Sequence, residues 1–384
     1  MYVLFSKIHK RYKEYFRGFM QFISRLWDNI QTFLFPYLEE ELGPLTEKER
    51  KFIRVCELCD LERLLAPYSW QGIGRPPASR LAIAKAFIAK SVYNCANTRV
   101  MIDRIRQSPS LRRLCGWENR GEIPSESTFS RAFDEFAEGE LPQKVHKAMI
   151  KLHYDPKLAG HVSRDSSAIE AREKAVPKPK DQSKKTSAPK KRGRPKKGEE
   201  RVPKPPTRLE LQPGRSLEDN LSDLPKVCNY GTKKNSNGYK YTWKGYKLHV
   251  DVADGDIPIS AVLTSASVND DQVAIPLAQI SAQRITNLYD LMDAGYDASA
   301  IDKYSRHLGH VPIIDSNPRR GEKREMSPAQ KIRYRERSSA ERFFSHLENY
   351  GSKNVRVRGH AKVMAHLMFG VIVVAATQIF NLLS

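Results

Sequence analysis

Cysteine is scarce in this chain. Cys56, Cys59, Cys95, Cys115 and Cys228 are the five among 384 residues, an odd, sparse set that excludes a disulfide framework and fits a reducing cytosol. Cys56-Glu57-Leu58-Cys59 has the spacing of a redox or zinc pair. No second pair or histidine stands at a suitable distance, so no metal is expected there. An export signal is missing too, because MYVLFSKIHKRYKEYFRGF scatters charge through its apolar residues. Cytoplasmic location is the expectation. Long apolar runs are scarce. Val363 to Ser384 lacks acids, lysine and arginine and approaches the length of a bilayer span. However, His366, Gln378 and Asn381 interrupt it, and Arg358 and Lys362 stand at one end only. It reads as a helix buried in a soluble domain, with no membrane partner.

Negative charge is the other shortage. Lys and Arg number 65 against 44 Asp and Glu, a formal charge of +21. A field of that sign favours a polyanion, nucleic acid first and an anionic membrane surface second. Length alone predicts two or three domains.

The texture changes along the chain. Residues 1–45 read as an amphipathic helical segment. From 46 to 157 the pattern stays helical, with Leu81, Ala82, Ala84, Phe87 and Ile88 at helical spacing. Within it, Pro124 to Arg131 resembles the start of a recognition helix: Ser127, Thr128, Ser130 and Arg131 face a groove while Phe129 and Phe133 pack inward. An ordinary helix capped by Ser125 or Ser127 fits the same residues.

Residues 171–208 carry fifteen Lys/Arg against four acids, with proline recurring from Pro177 to Pro206. Burial cannot offset the chain entropy of such a segment, which predicts disorder when free. At its centre, Lys191-Arg192-Gly193-Arg194-Pro195 resembles an AT-hook, whose two guanidinium groups enter a narrow A·T minor groove. A nonspecific polybasic arm on phosphates is the alternative.

The remainder, 158–384 apart from that insertion, reads as mixed α/β. A short strand ends at Asp165. Tyr246, Leu248, Val250 and Val252 alternate as a strand, and Ile257–Thr264 is its hairpin partner across Asp254-Gly255. Helix 271–283, capped by Asn269 or Asp270, strand 287–293, helix 299–308 and strand 310–315 follow, then a helix from Ser327 towards Gly351. On that last helix Tyr334, Arg337, Glu341 and Glu348 fall at roughly 0°, 300°, 340° and 320° if each residue turns 100°. One face would then present a phenol, a guanidinium and two carboxylates to a single partner. A solvated stripe at heptad spacing is the bland reading. Asp165 and Asp293 each end a strand, the second beside Ala294-Gly295-Tyr296. Carboxylates on rigid strand ends suit a pair of Mg²⁺ ions, which prefer oxygen ligands, although Asp at a strand end is commonly a turn residue.

This order of strands, with acids after the first and fourth and on the last helix, resembles the RNase H-like catalytic domain of bacterial insertion-sequence transposases of the DDE class. Tyr334-x₂-Arg337-x₃-Glu341 is similar to their Y-R-E-K signature. Gly245-Tyr246-Lys247-Leu248-His249, Asp293-Ala294-Gly295-Tyr296-Asp297 and Arg356-Val357-Arg358-Gly359 extend the likeness. Gly74 to Arg131 resembles their helical leader domain. The resemblance implies that Asp165, Asp293 and Glu341 are the metal-binding catalytic triad, holding two Mg²⁺ with Mn²⁺ as substitute. Tyr334 and Arg337 would contact the transposon-end backbone, helped by Arg356 and Arg358. Metal-assisted nicking of the element's ends and attack of the freed 3′-hydroxyl on target DNA would follow. Double-stranded DNA is the implied partner, with a homodimer in the DNA complex and nucleoid association. The signature's final basic position holds Glu348 instead, which reverses a charge facing phosphate and leaves open a catalytically impaired DNA-binding relic.

Overall fold

The structure is a computed structural model that describes residues 25–68, 70, 72, 74–154, 158–176, 206–234, 238–317 and 325–382. Lys191, Arg192 and Arg194, and residues 1–24, lie outside the described residues.

Among the described residues, six strands form one mixed sheet: β1 (Leu158–Glu170), β2 (Asn229–Lys234), β3 (Lys240–Ala253), β4 (Ile257–Ser265), β5 (Thr286–Met292) and β6 (Val311–Ile314). The order is β2-β3-β1-β5-β6, with β4 also on the outer side of β3. β1 runs antiparallel to β3 and parallel to β5, and β5 is parallel to β6. This mixed sheet with flanking helices is the RNase H-like architecture that the strand order predicted.

Alternation along β3 produces the two layers. Tyr246, Leu248, Val250 and Val252 are buried against Phe343 and Leu347 of helix Ser338–Glu348 and against Val363, Leu367 and Val371 of helix His360–Asn381. Between them, His249 and Asp251 face the other way and are fully buried. The bidentate pair of Arg164 with Asp251, at 2.7 and 2.8 Å, cross-links β1 to β3 there, and Ser281 Oγ donates to the same carboxylate.

Three expectations change. β1 does not end at Asp165: its ladder with β3 continues from Asp165↔Val250 to Glu170↔Gly245. It is β5 that stops, at Arg164↔Met292. β2 had no sequence signal, because Asn229–Lys234 lacks alternating apolar residues and is held by pairing with β3. The helix predicted from Ser327 is interrupted. Pro328–Tyr334, which starts in a Ser327–Gln330 capping box, passes through the 3₁₀ turn Arg335–Arg337 before Ser338–Glu348 begins.

The helical region packs onto the sheet domain through His360–Asn381. By length and composition this helix could cross a membrane, but it is 94% buried over its apolar window. Phe87 stacks on Phe369 at 5.6 Å, and Phe129, Phe133 and Phe136 surround Phe87. One core cluster runs from Ile30 through these rings to Ile257, Ile285 and Ile379. Fully buried His146 joins the layers: Nε2–H donates to the Pro258 carbonyl at 2.8 Å, and Nδ1 accepts from Arg284 at 3.0 Å.

Candidate active site

Register brings the two aspartates together. Because β1 and β5 pair in parallel up to Arg164↔Met292, the next residue on each strand is Asp165 and Asp293. Asp165 accepts from the Ser166 backbone N–H at 2.7 Å, and Asp293 from the Gly295 N–H at 2.9 Å. A Cβ at residue 295 would lie 2.9 Å from Asp293 Oδ1, so any larger residue there would displace the carboxylate. Burial, reinforced by the negative charge of Asp293, pushes the Asp165 carboxyl up to about 6. Burial also raises Asp293, with nearby Asp270 adding to the effect. Arg337 and Lys233 act on both aspartates in the opposite direction.

The helix after β6 delivers Tyr334 and Arg337 to the same place. In a 3₁₀ turn residues i and i+3 eclipse, and the Arg337 guanidinium carbon lies 5.8 Å from the Tyr334 ring centroid. Ser163 Oγ donates to the Arg337 carbonyl at 2.7 Å, which fastens the turn to β1 two residues before Asp165. Burial raises the Tyr334 phenol to about 12, with Asp315, Asp293 and Asp165 contributing. Arg337 also holds Glu341, Nη2 to Oε1 at 2.6 Å, and the Glu341 side chain is 58% exposed. Glu348 does not share this face. It lines a separate cavity with Glu170, Tyr241 and Phe344 and pairs with Lys353 at 2.5 Å.

Of the further neighbours, the sequence pattern does not single out Ser166, Lys233 or Asn317, and it marks Asp270 only as a helix cap. Asp165 and Asp293 line a cavity of about 370 Å³ together with Ser166, Lys233, Trp243, Lys247, Asp270 and Asn317. Asp270 occupies the N-cap position of helix Asp271–Ala282 but makes no side-chain cap bond. Its carboxylate accepts from Ser166 Oγ at 2.8 Å and from Lys247 Nζ at 3.0 Å. Burial pushes that carboxyl up, yet His249, Lys247 and Ser166 together outweigh it and the net shift is downward. The available signal was Lys247 within Gly245–His249, half of a lysine–carboxylate pair spanning 23 positions.

Family comparison points the same way as the geometry. A family model described as "Transposase DDE domain" matches residues 207–375, and one described as "Transposase domain (DUF772)" matches 40–135. The chain belongs to the DDE transposases of insertion sequences. No curated protein and no solved structure matches it. The transposase therefore acts on DNA.

Divalent metals are general to DDE transposases. The donors of this transposase suit them: Asp165 and Asp293 offer carboxylate oxygens on rigid strand ends, and both are pushed up chiefly by burial, with a neighbouring carboxylate adding to it. Glu341 is turned to Arg337, and among the described residues no three His, Cys, Asp or Glu side chains lie close enough to hold one ion. Away from this centre, Ser130 and Arg131 are exposed on helix Glu126–Glu138 and Thr128 is half-buried within reach of Ser125 Oγ at 3.1 Å; Phe129 and Phe133 are buried beneath them. Arg356 and Arg358 are exposed on the extended link into the C-terminal helix, between buried Val355 and half-buried Val357. Burial raises the Cys56 thiol to about 12 and Cys59 well above its ordinary value, which leaves the CxxC pair unreactive.

Proposed function

We propose that this transposase nicks the ends of its own insertion sequence and joins the freed 3′-hydroxyls to target DNA, with Asp165, Asp293 and Glu341 as the catalytic carboxylates. The observation that carries this reading is the pairing of Asp165 and Asp293 at the end of the β1–β5 ladder, with Arg337 and Tyr334 against them. Asp165 and Asp293 would hold Mg²⁺ or Mn²⁺, and Glu341 completes the set. When bound, two such ions supply charge stabilisation to the attacking and leaving oxygens of an in-line displacement.

The side chains do the positioning. Arg337 is a planar fork suited to a phosphate, and in this state it is occupied by Glu341. A phosphate that takes over the guanidinium releases Glu341 towards the aspartates. Tyr334, whose phenol stays protonated because burial raises it, donates a hydrogen bond to the same backbone. Thr128, Ser130 and Arg131, the Arg192–Arg194 arm with Lys191, and Arg356 and Arg358 would bind duplex DNA outside the reacting phosphate. The leader helices 46–157 would serve as the DNA-binding domain and 158–384 as the catalytic one. Two DNA ends call for a homodimer, working on nucleoid DNA in the cytoplasm.

A second reading, a DNA-binding relic, is favoured by Glu348, a negative charge that takes up Lys353. Cleavage and joining assayed on the element's terminal repeats with Mg²⁺ decide between the two. Metal-dependent nicks and joined product from the wild type, both absent in Asp293→Ala, are expected. Tight binding of the ends without chemistry from either protein would establish the relic, and Glu348→Lys would then test whether one charge silenced it.

A further inference from the structure

The β2–β3 hairpin carries a surface that the reaction above leaves unused. Between Asn229 and Gly245 the chain has Lys233, Lys234, Lys240 and Lys244, the rings of Tyr230, Tyr239, Tyr241 and Trp243, and no acid. β3 pairs with β1 only from Gly245 onward. Lys240–Lys244 and β2 therefore form a two-stranded ribbon beyond that ladder.

One face of the ribbon is a built platform. Trp243 is buried, and its Nε1–H donates to the Tyr246 carbonyl at 2.9 Å. The indole lies over Gly231, where a Cβ would come within 2.5 Å of the ring, so only glycine permits the contact. Tyr241 lies nearly parallel to Trp243, with centroids 6.1 Å apart and planes 13° apart. Its hydroxyl donates to Glu170 at 2.5 Å, yet half of the residue remains exposed. Lys233 stands directly across from Tyr241 in register, which puts both on this face. Lys233 and Trp243 line the aspartate cavity, Tyr241 lines the cavity of Lys353, and Ala168 of β1 lines both.

A ring held rigidly with an open face, on a ribbon that itself carries lysines and no acid, matches an unpaired nucleotide: the base stacks and the phosphates meet the ammonium groups. Paired bases inside a duplex have no free face to offer. We propose that the ribbon formed by Asn229–Lys234 and Lys240–Gly245 binds unpaired nucleotides next to the scissile phosphate, with a base stacked on Tyr241 and an adjoining phosphate on Lys233. This deepens the proposed function and rests on it for the identity of the strand. Binding itself is read without chemistry, so a catalytically dead chain can pass this test and an active transposase can fail it.

The experiment measures binding of fluorescein-labelled oligothymidylate to the full chain in EDTA, against a duplex of the same length. Tyr241→Ala should weaken oligothymidylate binding about tenfold and leave duplex affinity unchanged, with Tyr241→Trp restoring it. Tyr230 is exposed on the opposite face of the same ribbon, and Tyr230→Ala should bind as the wild type does. A 5-iodouracil oligonucleotide should crosslink to the peptide that contains Tyr241. Wild-type affinity in Tyr241→Ala, or an equal loss for duplex and single strand, would overturn the proposal.

Discussion

Asp165 sits in an environment that opposes its charge. Its pKa of about 6 means that the fold resists its ionisation. The folded value lies above the unfolded one, so a penalty that is absent below about pH 4 grows until the pH passes about 6. Asp165→Asn removes that penalty. In EDTA at pH 8 the variant should melt higher than the wild type, by a ΔΔG on the order of 2 kcal/mol. At pH 4 the two should melt together, and equal stability at both values would contradict the assigned environment. Added Mg²⁺ should raise the wild-type melting temperature at pH 8 but not that of Asp165→Asn. Arg164, the adjacent residue, shows the opposite economy: its buried charge is met by both oxygens of Asp251. Truncating it to Ala leaves Asp251 unpaired and should cost about 3–5 kcal/mol in denaturant melts.

Elements aim what the residues supply. Tyr334 and Arg337 reach the aspartates because the helix tightens to 3₁₀ between them, and because Ser163 of β1 holds the turn by the Arg337 carbonyl. Ser163→Ala removes one buried hydrogen bond, about 1 kcal/mol of stability. It should lower the metal-dependent cleavage rate several-fold while oligothymidylate binding stays unchanged. Cleavage at the wild-type rate would show that the anchor plays no part in the chemistry. At this scale Glu348 also finds its place. Its carboxylate belongs to a neighbouring cavity with Lys353, so the reversed charge is met within the chain and does not face the aspartates.

For the whole molecule the controlling fact is the shared core. Helix His360–Asn381 is the last segment in sequence, but it packs between the helical region and β4, with Phe369 on Phe87 and with His146 bridging to Pro258. Residues 158–384 expressed alone would expose an apolar helix face, and aggregation or a non-cooperative melt is expected. Co-expression with residues 25–157 should restore a soluble complex. A soluble, cooperatively folding 158–384 fragment would show that the helical region is dispensable for stability.

Much was legible locally. The apolar alternation of Tyr246 to Val252, the Asp254-Gly255 turn, the Ser327 cap and the helix periodicities are encoded within a few residues of themselves, and they place five of the six strands and the final helices. Charge balance and the Tyr334, Arg337, Glu341 spacing pointed to DNA and to a transposase. Other features depend on residues far apart in the chain. Where β1 ends as a paired strand is decided by β3, which continues beside it, and by β5, which stops. β2 exists only because β3 supplies its hydrogen bonds. The partners of Asp270 come from β1 and β3, and Glu348 left the predicted face for Lys353. Propensity and periodicity act over one or two turns, whereas register, cavity lining and ion pairing are set only when distant segments pack, so the amino-acid sequence alone determined the elements and the chemical class, and the tertiary structure decided which carboxylates meet.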